Sequence, residues 1–572
     1  MPSIDLLPAA RVHRRDRVRA VASYLAIALG LVSLLAPLFV HLAGLVPALF
    51  SGPLATFPPF LYQLSRIYII FGAFGLFVLA KYLRSGNRLA WGGSIIWLLL
   101  IALFHSGKSI DWPVAVLSVA ASIWLGLNRP AFPVMPSKVQ IRRALWVALG
   151  VTVVATSIVI GHLIHHLRAE SLSLGDGLSM MFGSLSGELH ERGNHPRIDV
   201  LAAYLFGLLW WAGSYWYEAT HSRTVGAGEH LENRERARKI IQRHGGGTLD
   251  YFGLRDDKEW FFLKDSVVAY GVRGSGCLVS PDPIGPVEQR EEIWEEFMLW
   301  AERRGLAVSV LGAGADWLEI YKNSGLRTVY LGDEAIVDAQ RFSLAGKKSK
   351  SLRQGHARLL RAGYRVEHVD PLLLSDVMRQ RLEQITTESR HGEVERGFSM
   401  TLSRLFDPAD QGLLLSIAID ANDVAQGFIQ WTPAAAVNGW SLDVMRRSTA
   451  EDVPGGLMDL LIIEMIAKMV RDGQRGLGLN FAVLREAVEE DSQASRFEKI
   501  VAKQASKHAQ VASLWKFNAK YDPEWQPRYS AVGSMDLWLA QALQMAQAEG
   551  ITEFPNLPTL PVRGSRSEAG RR

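Results

Sequence analysis

Trp440-Ser441-Leu442-Asp443-Val444-Met445-Arg446-Arg447, followed by Pro454-Gly455-Gly456 and an apolar run that opens at Leu457, is the stretch on which the fold turns. Its first part alternates. Trp440, Leu442 and Val444 fall on one face of a strand and Ser441, Asp443 and Met445 on the other. The glycines interrupt it, and the spacing of apolar residues over 457–470 predicts a helix, with a further strand near 477–481. Upstream the same grammar gives a helix over 371–388 and strands at 413–419 and 424–431. A similar order occurs earlier still, with a helix over 229–243, strand-like runs at 260–263 and 267–270, and a helix in which Ile293, Trp294, Phe297 and Trp300 recur as core contacts. Two mixed α/β units are therefore expected, at 229–365 and 366–548, of ordinary domain size. The Pro, Arg, Ser and Gly-rich tail, 556–572, reads as disordered.

The 572-residue chain changes character near His221. Before it, apolar stretches at 21–39, 60–80, 90–104, 112–127, 144–164 and 200–216 approach the ~20 residues that cross a bilayer. They predict a polytopic α-helical membrane domain of about six helices over 20–220, the short third and fourth runs either crossing or pairing as a re-entrant hairpin. A basic N-terminus, 1–19, precedes it. Arg and Lys concentrate at 11–19, 81–88 and 129–143, which places those connections, both termini and the soluble part on the cytoplasmic side. The first run lacks a cleavage site and reads as an anchor. The single cysteine, Cys277, excludes an internal disulfide framework, and no Cys/His cluster has zinc spacing.

A formal net charge of +5 is too small to establish nucleic-acid binding from bulk composition. Local density carries more weight. Lys347, Lys348, Lys350, Arg353, His356, Arg358, Arg361 and Arg365 fall in one segment that reads as a helix ending near Gly363, able to meet phosphate of RNA or of an anionic lipid surface. Gly346-Lys347-Lys348-Ser349 imitates the end of a phosphate-binding loop, but Arg341 stands where its first glycine is needed, so ATP is not supported. Gly312-Ala313-Gly314 after an apolar run reads as a strand-to-helix turn. His162, His165 and His166 end an apolar helix and are not taken as a metal site.

The strand end carrying Asp443, Arg446 and Arg447 faces a glycine-rich helix N-terminus, a combination suited to holding an anion and an amine together. A structural Asp–Arg pair is the alternative. A second cluster runs from Leu514 to Tyr529, where two prolines prevent a continuous helix and aromatic residues interleave with Lys516, Lys520 and Arg528. It reads as a rim for a base or phosphate, or equally as a packed C-terminal clasp.

Glu395-Arg396-Gly397-Phe398-Ser399-Met400, Ser441 to Arg447, Leu479-Asn480-Phe481-Ala482 and Asn518 to Trp525 occur in an order that resembles the phosphatidylglycerol lysyltransferase (multiple peptide resistance factor) family, nearest to the transferase part of the mycobacterial lysyl-phosphatidylglycerol synthases. The resemblance covers about 229–531. It implies two tandem acetyltransferase-like (GNAT) folds that move an aminoacyl group from aminoacyl-tRNA to the headgroup of an anionic membrane lipid, in a protein embedded in a bacterial plasma membrane. It also implies resistance to cationic peptides as a downstream effect. Asp443, Arg446 and Lys520 are then the catalytic candidates. Glu395, Arg396, Ser399, Arg447, Asn480, Lys516, Glu524 and Arg528 become substrate-binding candidates, and Lys347, Lys348, Lys350, Arg353 and Arg358 tRNA or phosphate contacts. The donor is already activated as an ester, so no cofactor and no metal are expected. A homo-oligomer is left open. The mycobacterial relatives carry a lysyl-tRNA synthetase after the transferase, for which this chain has no room, so lysine is not assumed as the donor residue. Rival expectations are a transporter or sensor with a non-catalytic transferase-like domain and a Fem-like transferase acting on peptidoglycan precursors. A CoA-dependent acetyltransferase lacks its glycine loop before Leu457.

Overall fold

The computed structural model describes residues 8–39, 73–106, 112–135, 227–273, 275–390, 397–402, 404–451, 453–483, 510–533 and 535–549. The chain divides into two compact units, Met1–Ser222 with Leu299–Ala307, and Arg223–Met298 with Val308–Arg572.

In the first unit, α1 (Pro8–Phe39), a helical segment at 73–84, α2 (Arg88–Ser106) and α3 (Trp112–Leu127) pack through Ala22, Ala26, Leu76, Ala80, Leu98, Ile101 and Leu125. Asn87 caps α2, its Oδ1 accepting from the N–H groups of Leu89 and Ala90 at 2.9 and 3.0 Å. The expected membrane domain of six crossings is corrected here. Among the described residues, no helix is long and apolar enough to cross a membrane. The sixteen residues of α3 rise about 24 Å and the nineteen of α2 about 28 Å, short of a hydrocarbon core of about 30 Å. α1 spends its N-terminal turns on Arg11, Arg14, Arg15, Asp16, Arg17 and Arg19. The runs at 144–164 and 200–216, and the histidines at 162, 165 and 166, lie outside the described residues, as does the tail from 556.

The second unit is built on one mixed sheet of eleven strands, ordered β1-β2-β3-β4-β11-β5-β10-β9-β8-β7-β6. Its strands are β1 (Glu259–Leu263), β2 (Ser266–Arg273), β3 (Gly276–Val279), β4 (Ala307–Ala313), β5 (Arg327–Asp338), β6 (Arg365–Val369), β7 (Leu414–Ile419), β8 (Ala425–Ala434), β9 (Gly439–Arg447), β10 (Gly476–Val483) and β11 (Glu524–Val532). The helices around it are α4 (Ala227–His244), α5 (Arg290–Arg303), α6 (Leu318–Asn323), α7 (Lys350–Arg361), α8 (Asp376–Arg390), α9 (Leu457–Arg471), α10 (Gln510–Ala519) and α11 (Met535–Ala548).

The two repeats expected at 229–365 and 366–548 share this one sheet. β5 pairs antiparallel with β10 and β11, and β11 pairs antiparallel with β4. The last strand of each repeat is thus handed to the other repeat. The exchange leaves no sheet edge between them, since every central strand finds its hydrogen-bonding partners on both sides.

α9 explains why the segment after Gly456 had to be helical and buried. Leu457, Leu460, Leu461, Ile462, Ile463, Met465, Ile466 and Met469 are all buried, so the helix is apolar almost all round and fills the space between the sheet and α7. Ala335, Val337, Ile429, Trp431, Leu442 and Leu477 meet it from the sheet. Period-two alternation then dictates that Glu334, Gln430, Ser441 and Asp443 leave by the opposite face.

Candidate active site

β9 and β10 run parallel but register only at Leu477↔Trp440 and Gly478↔Ser441. Past that point β10 carries an irregularity between Gly478 and Phe481, and Asn480 takes a left-handed φ of +66°. Asp443 stands two residues beyond Ser441, only 4% exposed. A buried carboxylate needs donors, and Asp443 has them: the Leu402 N–H donates to Oδ1 at 2.8 Å and Gln430 Nε2 to Oδ2 at 2.6 Å. The loop that brings Leu402 is tied down in turn. Arg255 donates to the carbonyls of Gly397 and Thr401 at 2.7 and 3.1 Å, and Ser399 donates through both N–H and Oγ to Glu549 Oε1 at 3.0 and 2.6 Å.

Across Gly478 lies Glu334 of β5, fully buried. Arg528 of β11 donates through Nε and Nη2 to the same oxygen, Oε2, at 2.9 and 2.5 Å, and through Nη2 to Thr248 Oγ1 at 3.2 Å. Burial opposes the Arg528 charge, but Glu334, Asp282 and Asp250 more than offset this and raise its pKa. Asp282 accepts from Gly314 N–H at 2.7 Å and from the Tyr321 hydroxyl at 2.5 Å, and burial pushes its carboxyl up to about 7 despite both bonds. Gly314 thus serves the turn after β4, as its spacing suggested.

The N-terminus of α9 forms a basic wall. Gly456 enters the helix at φ +93°, and Arg358 of α7 donates to the Gly455 carbonyl at 2.9 Å. Lys520 Nζ contacts both oxygens of Asp459, in the first turn of α9, at 3.1 and 3.2 Å, and the Tyr521 hydroxyl donates to Asp459 Oδ1 at 2.5 Å. Lys348 stands 3.8 Å from Asp522. α7 buries Leu352 and Leu359 and leaves Lys350, Arg353 and Arg358 in solvent beside exposed Lys347 and Lys348. The positive end of a helix dipole and these side chains together suit phosphate.

The structure therefore brings the α7 cations, Lys520 and the N-terminus of α9 together. Arg446, half-buried near the end of β9, donates to the Met445 carbonyl at 3.0 Å. Arg528 and Asn480 sit with the buried polar face, whereas Arg447, Lys516 and Glu524 are exposed. Ser399 is turned to Glu549, and Glu395 and Arg396 lie outside the described residues. Sequence reading missed Glu334, Thr248, Gln430, Asp459 and Glu549. Glu334 had a signal, an acidic residue directly before the apolar run Ala335-Ile336-Val337.

A family model described as phosphatidylglycerol lysyltransferase, C-terminal, matches residues 238–532, a span that includes Asp443, Arg446, Lys520, Glu334 and Arg528. The chain belongs to this phosphatidylglycerol lysyltransferase family. It is 30% identical over 578 residues to the lysylphosphatidylglycerol biosynthesis bifunctional protein LysX of Nocardia farcinica, covering 96% of this chain and 50% of that one. Against the protein of the same name from Rhodococcus opacus the identity is 29%, over 84% of this chain and 44% of the relative. The chain thus spans about half the length of the curated relatives it matches. The structure of L-PGS from Bacillus licheniformis superposes with a TM-score of 0.50 at 24% identity, covering 56% of this chain and 97% of that one, which shows that the second unit of this lysyltransferase-family chain shares its fold.

Proposed function

We propose that this chain transfers an aminoacyl group from aminoacyl-tRNA to the headgroup hydroxyl of an anionic lipid, phosphatidylglycerol being the acceptor that the family name supports. The observation that carries the reading is a buried Asp443 carboxylate, held by the Leu402 N–H and Gln430 Nε2 just beyond the last register of β9 with β10 and inside the span matched by the family model. Asp443 polarises the lipid hydroxyl. Its oxygen attacks the ester carbonyl, the proton passes to the 3′-terminal ribose oxygen as the ester C–O bond breaks, and the tRNA leaves with a free hydroxyl. One ester replaces another, so positioning and charge stabilisation suffice. Arg446 holds a lipid or tRNA phosphate, and Lys520 stabilises the oxyanion or the acceptor end. The cations of α7 take the tRNA backbone. Charged tRNA is cytoplasmic, so the acceptor is met at the cytoplasmic face of the membrane. Adding an amine there lowers the negative surface charge, with resistance to cationic peptides as the consequence.

Lipids extracted from cells making the intact chain or Asp443→Ala, at matched protein levels, test this by mass spectrometry. A lipid heavier by one aminoacyl residue is expected with the intact chain alone. Identical profiles would remove the transferase reading.

A further inference from the structure

Glu334 is bonded asymmetrically. Both guanidinium contacts from Arg528 fall on Oε2, and Oε1, fully buried, has no partner among the described residues. Ser441 Oγ, also fully buried, has none either. The two converge: a Cβ built on Gly478 would lie 3.1 Å from Ser441 Oγ, 3.2 Å from Thr248 Cγ2 and 3.4 Å from Glu334 Oε1. Gln430 Oε1, beside Asp443, and Asn480 Oδ1, at the parting of β9 and β10, are likewise buried acceptors without a donor. Leaving such oxygens empty is costly, and a carboxylate oxygen most of all. Every unanswered atom in the group can accept and the only carboxylate among them is turned toward Gly478. The complementary chemistry is a compact cation with several N–H donors.

We infer that Glu334 Oε1 and Ser441 Oγ, over Gly478, form a binding site for a primary ammonium group, reached where β9 and β10 diverge. The site lies on the same face of β9 as Asp443, two residues away. It deepens the proposed transfer reaction and rests on that reading for the source of the ammonium, which is either the α-amine or a side-chain amine of the aminoacyl group. Glu334 is then a specificity-determining residue. It comes from the first repeat and reaches a strand of the second only because β5 is exchanged between them.

Calorimetric titration of the full chain with three methyl esters separates the sources: lysine carries both amines, norleucine only the α-amine, and 6-aminohexanoate only the terminal one. The lysine ester and one of the other two should bind. Charge-assisted hydrogen bonds predict a loss of about tenfold or more in affinity in Glu334→Gln and in Gly478→Ala, whose methyl group occupies the site, with a smaller loss in Ser441→Ala. Should Glu334→Gln fail to fold for want of a partner to Arg528, the other two variants decide. Equal affinities in the intact chain, Gly478→Ala and Ser441→Ala would overturn the site and leave the space to water. So would the absence of binding by any ester to a chain that still modifies lipid, a result that spares the transfer reading. Variant-sensitive ester binding by a chain that leaves lipids unmodified would uphold the site and remove the transfer.

Discussion

Asp443 is legible in the sequence because a carboxylate in an alternating apolar strand has no cheap structural excuse. Its partners are not legible, since Leu402 and Gln430 come from elements 41 and 13 positions away. They nevertheless set what mutation will do. In Asp443→Asn the new amide can still accept from the Leu402 N–H, and Gln430, whose Oε1 is unpartnered, can turn its own amide to receive the new N–H. Asp443→Ala instead strands two buried donors, at about 1–3 kcal/mol each. Thermal unfolding should therefore show the Asn variant close to the intact chain and the Ala variant well below it. Both should lose lipid aminoacylation by about 10²–10⁴-fold if Asp443 acts on the proton. An active Asn variant would confine the residue to a structural role.

Lys258 gives a second test at this scale. Its Nζ donates to the carbonyls of Phe252 and Ser280 at 2.9 and 2.6 Å, and complete burial lowers its pKa from 10.5 to about 7. Between those values the unfolded chain holds a proton that the folded chain has released. Raising the pH from 7 towards 10 therefore favours the folded state through this residue. The melting temperature of the intact chain should gain on Lys258→Met across that interval, and parallel pH profiles of the two would exclude the effect.

At the scale of elements, periodicity placed α9 and β9 to within a few residues, α9 being expected over 457–470 and found at Leu457–Arg471, and β9 over 440–445 and found at Gly439–Arg447, whereas β5 and β6 were not named. The region after 514 was harder, because prolines argue against both helix and central strand. It divides into α10 and β11, with Pro527 opposite Asp333 just before a register shift at Arg528 and Tyr529. The basic stripe of α7 was plain from composition, and its exposure permits a prediction. Replacing Lys347, Lys350 and Arg353 together by Ala should weaken tRNA binding and flatten the slope of log affinity against log salt by about 0.7–0.9 for each phosphate no longer neutralised. An unchanged slope in filter binding would take α7 out of the tRNA interface. Arg353 also braces the loop before α7 through the Leu344 and Gly346 carbonyls, so helicity of the variant is the necessary control.

At the scale of the whole molecule, hydropathy is what local reading misjudged, and strand pairing is what it could not reach. Apolar runs were counted as crossings although the helices that contain two of them are too short. The strand exchange was invisible for a different reason: β4 meets β11 across more than 200 residues, and no window of sequence carries that pairing. Its consequence is mechanical. A chain cut between 365 and 366 leaves β5 on one fragment without β10 and β11, and β11 on the other without β4 and β5. Each fragment then presents unpaired backbone and the buried apolar faces of Ala335 and Val337, or of Ala531 and Val532, to water. Glu334 and Arg528 are separated too, leaving a buried charge uncompensated in either half. Fragments 223–365 and 366–549 made separately should be insoluble or lack a cooperative unfolding transition, whereas the same two made together should assemble and unfold in one step. A soluble first fragment with its own sharp transition would show that the repeats are autonomous and that the shared sheet forms only after each has folded.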